Sequence, residues 1–244
     1  MKSKLTISIA SILSVLVLVG VGFAAWVIIN PNVGANADVN IEVDTVTDNS
    51  YDIEATWGTV DGVTDNGKIV FGSAGTVSGT PWLTATDKKE SLKAVLTLTA
   101  KGFQAASWDM IKTKTLTVSM KSVKGTGDDT GFASLVSSNY ITYPTLSGAG
   151  SVSKTLNAWT DTVTIPLSAF TDGTTDGTKT YALTIQFAWG DHFKNGDGPV
   201  ENPYVFYNKK TYAEAKNDAN TALKAIYDTL NGVSYKVSIK EQAA

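Results

Sequence analysis

The chain has 244 residues, a formal net charge of −3 and no cysteine, which excludes disulfide staples, thiolate chemistry and an anchor built on an acylated cysteine. All 20 basic residues are lysine; without the planar guanidinium fork, and with a net acidic balance, the composition argues against a nucleic-acid partner. A body of about 200 residues buries a large core without covalent help, so one domain is expected.

Lys2 and Lys4 precede an uncharged stretch over residues 5–37, apolar from Ile7 to Ile29. Gly22-Phe23-Ala24 sets small residues at −3 and −1 of a cut between Ala24 and Ala25, so residues 1–24 read as a signal peptide. Residues 7–29 also reach the roughly 20 apolar residues that a spanning helix needs. The alternative is therefore an uncleaved transmembrane anchor over 5–29, its lysines inside and its body outside. Either way the body is exported to the cell surface or beyond.

Residues 25–37 form a linker or arm, and residues 38–244 form the body. Val39, Ile41 and Val43 alternate with polar residues, and Tyr51 to Trp57 repeat the pattern, the period of half-buried strands. Asp61-Gly62 and Asn66-Gly67 punctuate a hairpin leading to Lys68-Ile69-Val70-Phe71. After a Gly/Ser/Thr loop over 72–81 and a charged turn over 87–90, Leu92 to Ala100 and Lys114 to Val123 read as further strands. Between Gly125 and Ser151 a helical turn over 132–136 is expected inside an otherwise irregular insertion. Val163, Ile165 and Leu167 resume alternation, and Pro166, which cannot donate to a ladder, puts that strand at a sheet edge. Tyr181, Leu183, Ile185, Phe187 and Trp189 make the longest apolar face, that of a central strand.

One helix is predicted in the body, over 212–230. Thr211 and Glu214 form its capping box, Asn231-Gly232 its stop, and Tyr212, Ala215, Ala219, Leu223, Ile226 and Leu230 its apolar stripe. Val233 to Ile239 add a last strand. Strands without intervening helices predict an all-β, mainly antiparallel sandwich with one late amphipathic helix packed on it.

The residues that bear chemistry are sparse. His192 is the single histidine; neither a two-histidine zinc motif nor a Gly-x-Ser-x-Gly elbow accompanies it, so a surface or capping role is expected and no catalytic residue is assigned. Asp191, Asp197 and Glu201, with Asn195 on a loop bearing Gly196 and Gly198, are the candidates for a calcium ion, as are Asp128 and Asp129; ordinary turn chemistry accounts equally for both loops. Trp57 and Trp189 fall in phase with buried faces. Trp82 and Trp159 sit beside turns and are the candidate ligand aromatics, of the kind on which sugar rings stack. Asn202-Pro203-Tyr204-Val205-Phe206-Tyr207-Asn208 is expected to close one end of the core.

The N-terminal region resembles the TasA/camelysin-like family of exported matrix proteins. The likeness lies in the basic start, the apolar run Val19-Gly20-Val21-Gly22-Phe23-Ala24, the following Ala25-Trp26, and a first strand after a short linker. It is specific for about the first 45 residues. Val27-Ile28-Ile29-Asn30 departs from the family, whose members often carry an acidic residue there, and this supports the anchor alternative. The resemblance implies a jelly-roll-like sandwich and fibres built by donating an N-terminal strand. Here the candidate donor arm is Ala25, Trp26, Val27, Ile28 and Ile29, an apolar β-prone segment ended by Asn30-Pro31.

Two functions follow. One is a secreted surface or biofilm-matrix structural protein, cut by signal peptidase and self-associating into filaments. The other is a membrane-tethered extracellular module that binds glycan or another surface ligand. No enzyme, nucleic-acid partner or resident cofactor is expected.

Overall fold

The structure is a computed structural model that describes residues 19–23, 37–44, 47–48, 51–57, 63–64, 68–69, 91–125, 127–230 and 233–241. Two sheets carry the fold. In the first, β1 (Val19–Phe23), β2 (Ala37–Asp44), β15 (Val233–Glu241), β8 (Thr115–Lys124) and β12 (Thr162–Pro166) lie side by side in that order, with β9 (Gly127–Asp128) beside β8. In the second the order is β11 (Val152–Thr155), β10 (Thr145–Gly148), β14 (Lys179–Ala188), β7 (Ser91–Lys101), β4 (Tyr51–Trp57) and β3 (Thr47–Asp48), with β13 (Thr171–Asp172) beside β14. β5 (Val63–Thr64) and β6 (Lys68–Ile69) form a separate short hairpin. Every strand pair is antiparallel except β15 with β2, so the mainly antiparallel β class holds among the described residues.

The period-2 pattern decides which face turns inward. Leu96 and Leu98 of β7, Val118 and Met120 of β8, Leu183 and Ile185 of β14, and Val237 and Ile239 of β15 are all buried, while their neighbours on each strand are half-buried or exposed. Both inner faces belong to one core. Across it, Phe187 of the second sheet meets Tyr235 of the first, ring centroids 4.9 Å apart. Phe187 buried on one strand of such a core contributes on the order of 2–3 kcal/mol.

β14, the expected central strand, has β10 on one side and β7 on the other. β12 is the edge of the first sheet, and Pro166 ends it opposite Thr115. The insertion expected to be irregular is more ordered than that. It holds α2 (Gly131–Ser137), over the residues where a helical turn is expected, and then the hairpin β10–β11. These strands escape the alternation rule because they are four residues long, β10 mostly half-buried and β11 mostly exposed.

Helices close one end of the sandwich. Beyond α1 (Trp108–Ile111), a short crossover between β7 and β8, they are α2, α3 (Pro203–Asn208) and α4 (Tyr212–Leu230). α4 has the predicted bounds and buries Ala215, Ala219, Ala222, Leu223, Ile226 and Leu230. At its start, Glu214 accepts from the Thr211 backbone N–H at 2.9 Å and from its hydroxyl at 2.7 Å. At its end, Lys124 Nζ donates to the carbonyls of Asp228 and Thr229 at 3.0 and 3.1 Å, placing a cation where the helix dipole is negative. The small Gly131 lets α2 approach there, since a Cβ would come within 2.6 Å of Thr229 Cγ2. At the opposite end of the sandwich, Glu241 accepts from Tyr51 Oη at 2.6 Å and pairs with Lys114 at 2.8 Å, tying β15 to the second sheet.

Candidate functional site

Three places carry the residues singled out by sequence. The first is the turn after β14. The chain turns at residues 191–193 and brings His192 against the helical end. Tyr207 Oη, on α3, donates to Asp218 Oδ2 on α4 at 3.1 Å and lies 3.0 Å from His192 Nε2. Because the one hydroxyl hydrogen of Tyr207 goes to Asp218, Nε2 of His192 carries a hydrogen and donates to the phenol oxygen. Asp218 Oδ1 is 3.3 Å from the same nitrogen. The ring of Tyr140 stands edge-on to His192 at 4.8 Å, and Phe193, Phe206 and Trp189 fill the space beneath. Burial, and then the Asp218 carboxylate, push the Tyr207 phenol far above its ordinary pKa, and Tyr140 moves the same way. These phenols stay neutral and serve as hydrogen-bond groups. His192 is thus a half-buried tie between a turn and two helices. Its partner Asp218 stands in a distant part of the sequence, on the polar face of α4, and no local motif announces the pairing.

The calcium candidates on the next loop spread apart. Asp191 and Asp197 are exposed. Glu201 pairs with Lys209 and accepts from Asn195 Nδ2 at 3.4 Å. On the other loop, Asp129 accepts from the backbone N–H groups of Gly131 and Phe132 and so caps α2, while Asp128 pairs with Lys121 at 2.7 Å. Among the described residues no group of three or more histidines and carboxylates comes together to hold a metal ion. The Asn202–Asn208 segment does close one end of the core. Asn202 caps α3 by accepting from the Tyr204 backbone N–H at 2.9 Å, and Tyr204, Phe206 and Tyr207 are buried.

The second place is the flank where β11, the edge of one sheet, faces β12, the edge of the other. Gly150, Ser151, Ser153, Lys154, Thr162 and Thr164 line a shallow groove between them, with Pro166 at its end. Lys154 Nζ crosses it to donate to the Thr162 carbonyl at 3.2 Å and lies 3.7 Å from Asp161 Oδ2. Asp161 in turn accepts from the Asn157 backbone N–H at 2.8 Å, which with Lys154 holds its carboxyl below the usual carboxylate range. Trp159 stands in the loop that joins the two strands. It is half-buried, packed against Phe132 at 4.8 Å, Tyr143 at 5.1 Å and Tyr235 at 5.9 Å. Trp82, the other candidate ligand aromatic, lies outside the described residues.

The third place is the opposite flank. β1 pairs antiparallel with β2, Val19 opposite Ile41 through Phe23 opposite Ala37. β6 lies along β1 as well. The cut between Ala24 and Ala25 and the arm Ala25, Trp26, Val27, Ile28 and Ile29 lie outside the described residues, as does the helix stop at Asn231-Gly232. Among the described residues, no helix is long and apolar enough to cross a membrane.

No protein-family model, curated protein or solved structure matches the chain.

Proposed function

We propose that the chain is an exported cell-surface or extracellular-matrix structural protein. It is a fibre-forming subunit of jelly-roll-like build that is cut after Ala24 by signal peptidase and assembles by donating its N-terminal arm. The observation that carries this reading is the pairing of β1 with β2: residues that precede the body add, as an apolar strand, along the edge of its first sheet. Strand addition supplies main-chain hydrogen bonds for affinity and side-chain pockets for register. Head-to-tail addition does not close on itself, so it yields filaments. A membrane-tethered module that binds glycan is the second reading. The observation that favours it is the groove between β11 and β12, lined among others by Ser151, Ser153, Thr162 and Thr164, with Trp159 in the adjoining loop.

The test is the N-terminal residue of the protein recovered from cells and medium, read together with its size by scattering and electron microscopy. The matrix reading expects Ala25 first, filaments, and monomers once residues 25–29 are deleted. An intact Met1 in the membrane fraction, with no filaments, favours the tethered module instead.

A further inference from the structure

Glu201, one of the candidate metal ligands, stands between two nitrogen groups instead. Its Oε1 pairs with Lys209 Nζ, and its Oε2 accepts from Asn195 Nδ2 at 3.4 Å. The local fold brings the three together. Lys194 bridges antiparallel to Val200, and the Glu201 N–H donates to the Phe193 carbonyl at 2.9 Å, so residues 195–199 form a tight loop with Asn195 at its head. The Gly198 N–H donates to the Asn195 carbonyl at 3.0 Å, and Gly196 takes a positive φ of 55° that glycine adopts without strain. α3 then starts after Asn202 and is capped at its end by Lys209, whose side chain returns to Glu201. Glu201 is sheltered, with 16% of its side chain exposed, while Asn195 and Lys209 reach it from the solvent side. An amine and a carboxamide held by the two oxygens of one carboxylate have the proximity and the proton carrier that amide exchange needs.

We infer that Lys209 and Asn195 join in an intramolecular isopeptide bond, with Glu201 moving the protons. Lys209 Nζ, as the free amine, adds to Asn195 Cγ. The Nζ–Cγ bond forms, the Cγ–Nδ2 bond breaks, and Nδ2 leaves as ammonia. Glu201 Oε1 faces Nζ and accepts the proton that the amine loses; the carboxyl returns a proton to Nδ2 through Oε2. The exchange consumes no oxidant, so it is a covalent staple open to a chain without cysteine. It closes residues 195–209 into a ring and ties the loop to the end of α3, the segment that closes one end of the core. Such a closure restricts the unfolded chain as a disulfide does. The site lies away from both flanks of the sandwich, so the bond is independent of either reading of function. Asn195 has one rival reaction: the backbone nitrogen of Gly196 can close on the same Cγ, giving a succinimide and also expelling ammonia.

Mass spectrometry separates the two. The purified folded protein is kept at about pH 9, which favours free lysine amines, then denatured and cut with trypsin and a glutamate-specific protease. The expected product is residues 195–201 joined to residues 202–210, lighter than the two peptides by one ammonia and one water, with no tryptic cut at Lys209. Lys209→Arg keeps the ion pair with Glu201, and with it the fold, but abolishes the joined pair. Glu201→Gln slows its formation by about a hundredfold, the usual worth of a general acid–base group, and circular dichroism checks that this variant stays folded. Separate peptides of full mass after the incubation overturn the bond. A peptide lighter by one ammonia that persists in Lys209→Arg, and turns to aspartate and isoaspartate in water, marks the succinimide and overturns it too. A joined pair that forms as fast in Glu201→Gln as in the parent removes Glu201 from the chemistry and overturns the assignment of the site.

Discussion

The two flanks of the sandwich treat their exposed strands in opposite ways. On one, β11 and β12 stop short, Pro166 removes a donor from the edge, and Lys154 reaches across to occupy the Thr162 carbonyl. These are the devices by which sheet edges avoid pairing with other chains. On the other, β2 runs eight residues and is covered on its outer side by β1, an apolar strand drawn from the N-terminal segment. One edge is guarded with lysine and proline and the other is covered by a strand from the N-terminal segment, an arrangement that under the proposed function would direct addition to a single side. That asymmetry is what a linear assembly needs.

The comparison breaks most readily at Trp159, which anchors the guarded flank. Its ring packs on Phe132, Tyr143 and Tyr235, so Trp159→Ala is expected to lower unfolding free energy by roughly 3 kcal/mol, the lower end of such truncations. A urea or guanidinium titration measures this. A loss below about 1 kcal/mol, within the range of an ordinary surface change, would mean that the ring is spare. With glycan binding abolished by the same change, Trp159 would then return as a ligand platform.

A smaller effect is expected from the staple. Lys154→Ala removes a partly exposed contact and should cost about 0.5–1 kcal/mol. Its clearer signature is local: amide exchange over Thr162–Pro166 should quicken while β14 stays protected. With Pro166→Thr added, the freed edge should draw disordered aggregates from chains beginning at Ala25. If the double variant assembles no differently from its parent, the guarded flank plays no part in directing addition.

Much of this contrast is legible in the sequence, and the reason is local chemistry. Pro166 announces an edge because a missing N–H is a property of one residue. The central place of β14 follows from five alternating apolar side chains, and α4 from its stripe and from Glu214 three residues after Thr211. What stays hidden depends on partners that the fold, and no local motif, brings together. β2 and β15 lie near opposite ends of the sequence and pair in parallel, and no periodicity in either reveals it. Lys154 finds Thr162 only because a loop folds two edges together, and His192 finds Asp218 only because α4 packs against the turn. Of the candidate metal ligands, Asp129 caps α2, Asp128 and Glu201 pair with lysines, and Asp191 and Asp197 stand exposed, arrangements that composition alone does not separate from metal ligation. The hairpin β10–β11 is missed because Ser, Gly and Lys on short, half-wet strands leave no alternation to read.

The finest probe of the guarded flank is acid. Asp161 carries a depressed pKa because it accepts from the Asn157 backbone and faces Lys154. For a carboxylate held lower in the folded state, the stabilisation is fully present above its ordinary value of 3.8 and is lost as pH falls through the lowered folded value. The seam should therefore stay shut from neutral pH down to about 4 and loosen below that. Asp161→Asn should already show the loosened exchange over Thr162–Pro166 at pH 7 and change little on acidification. Glu214 is depressed in the same direction by Thr211 at the start of α4, and Asp109 by Lys112, so acid loosens the parent chain at other places besides the seam. The Asp161 variant isolates the effect at the seam. If the acid dependence of exchange at β12 is the same in parent and variant, Asp161 does not hold the flank closed, and the guard reduces to Pro166 and the reach of Lys154 to the Thr162 carbonyl.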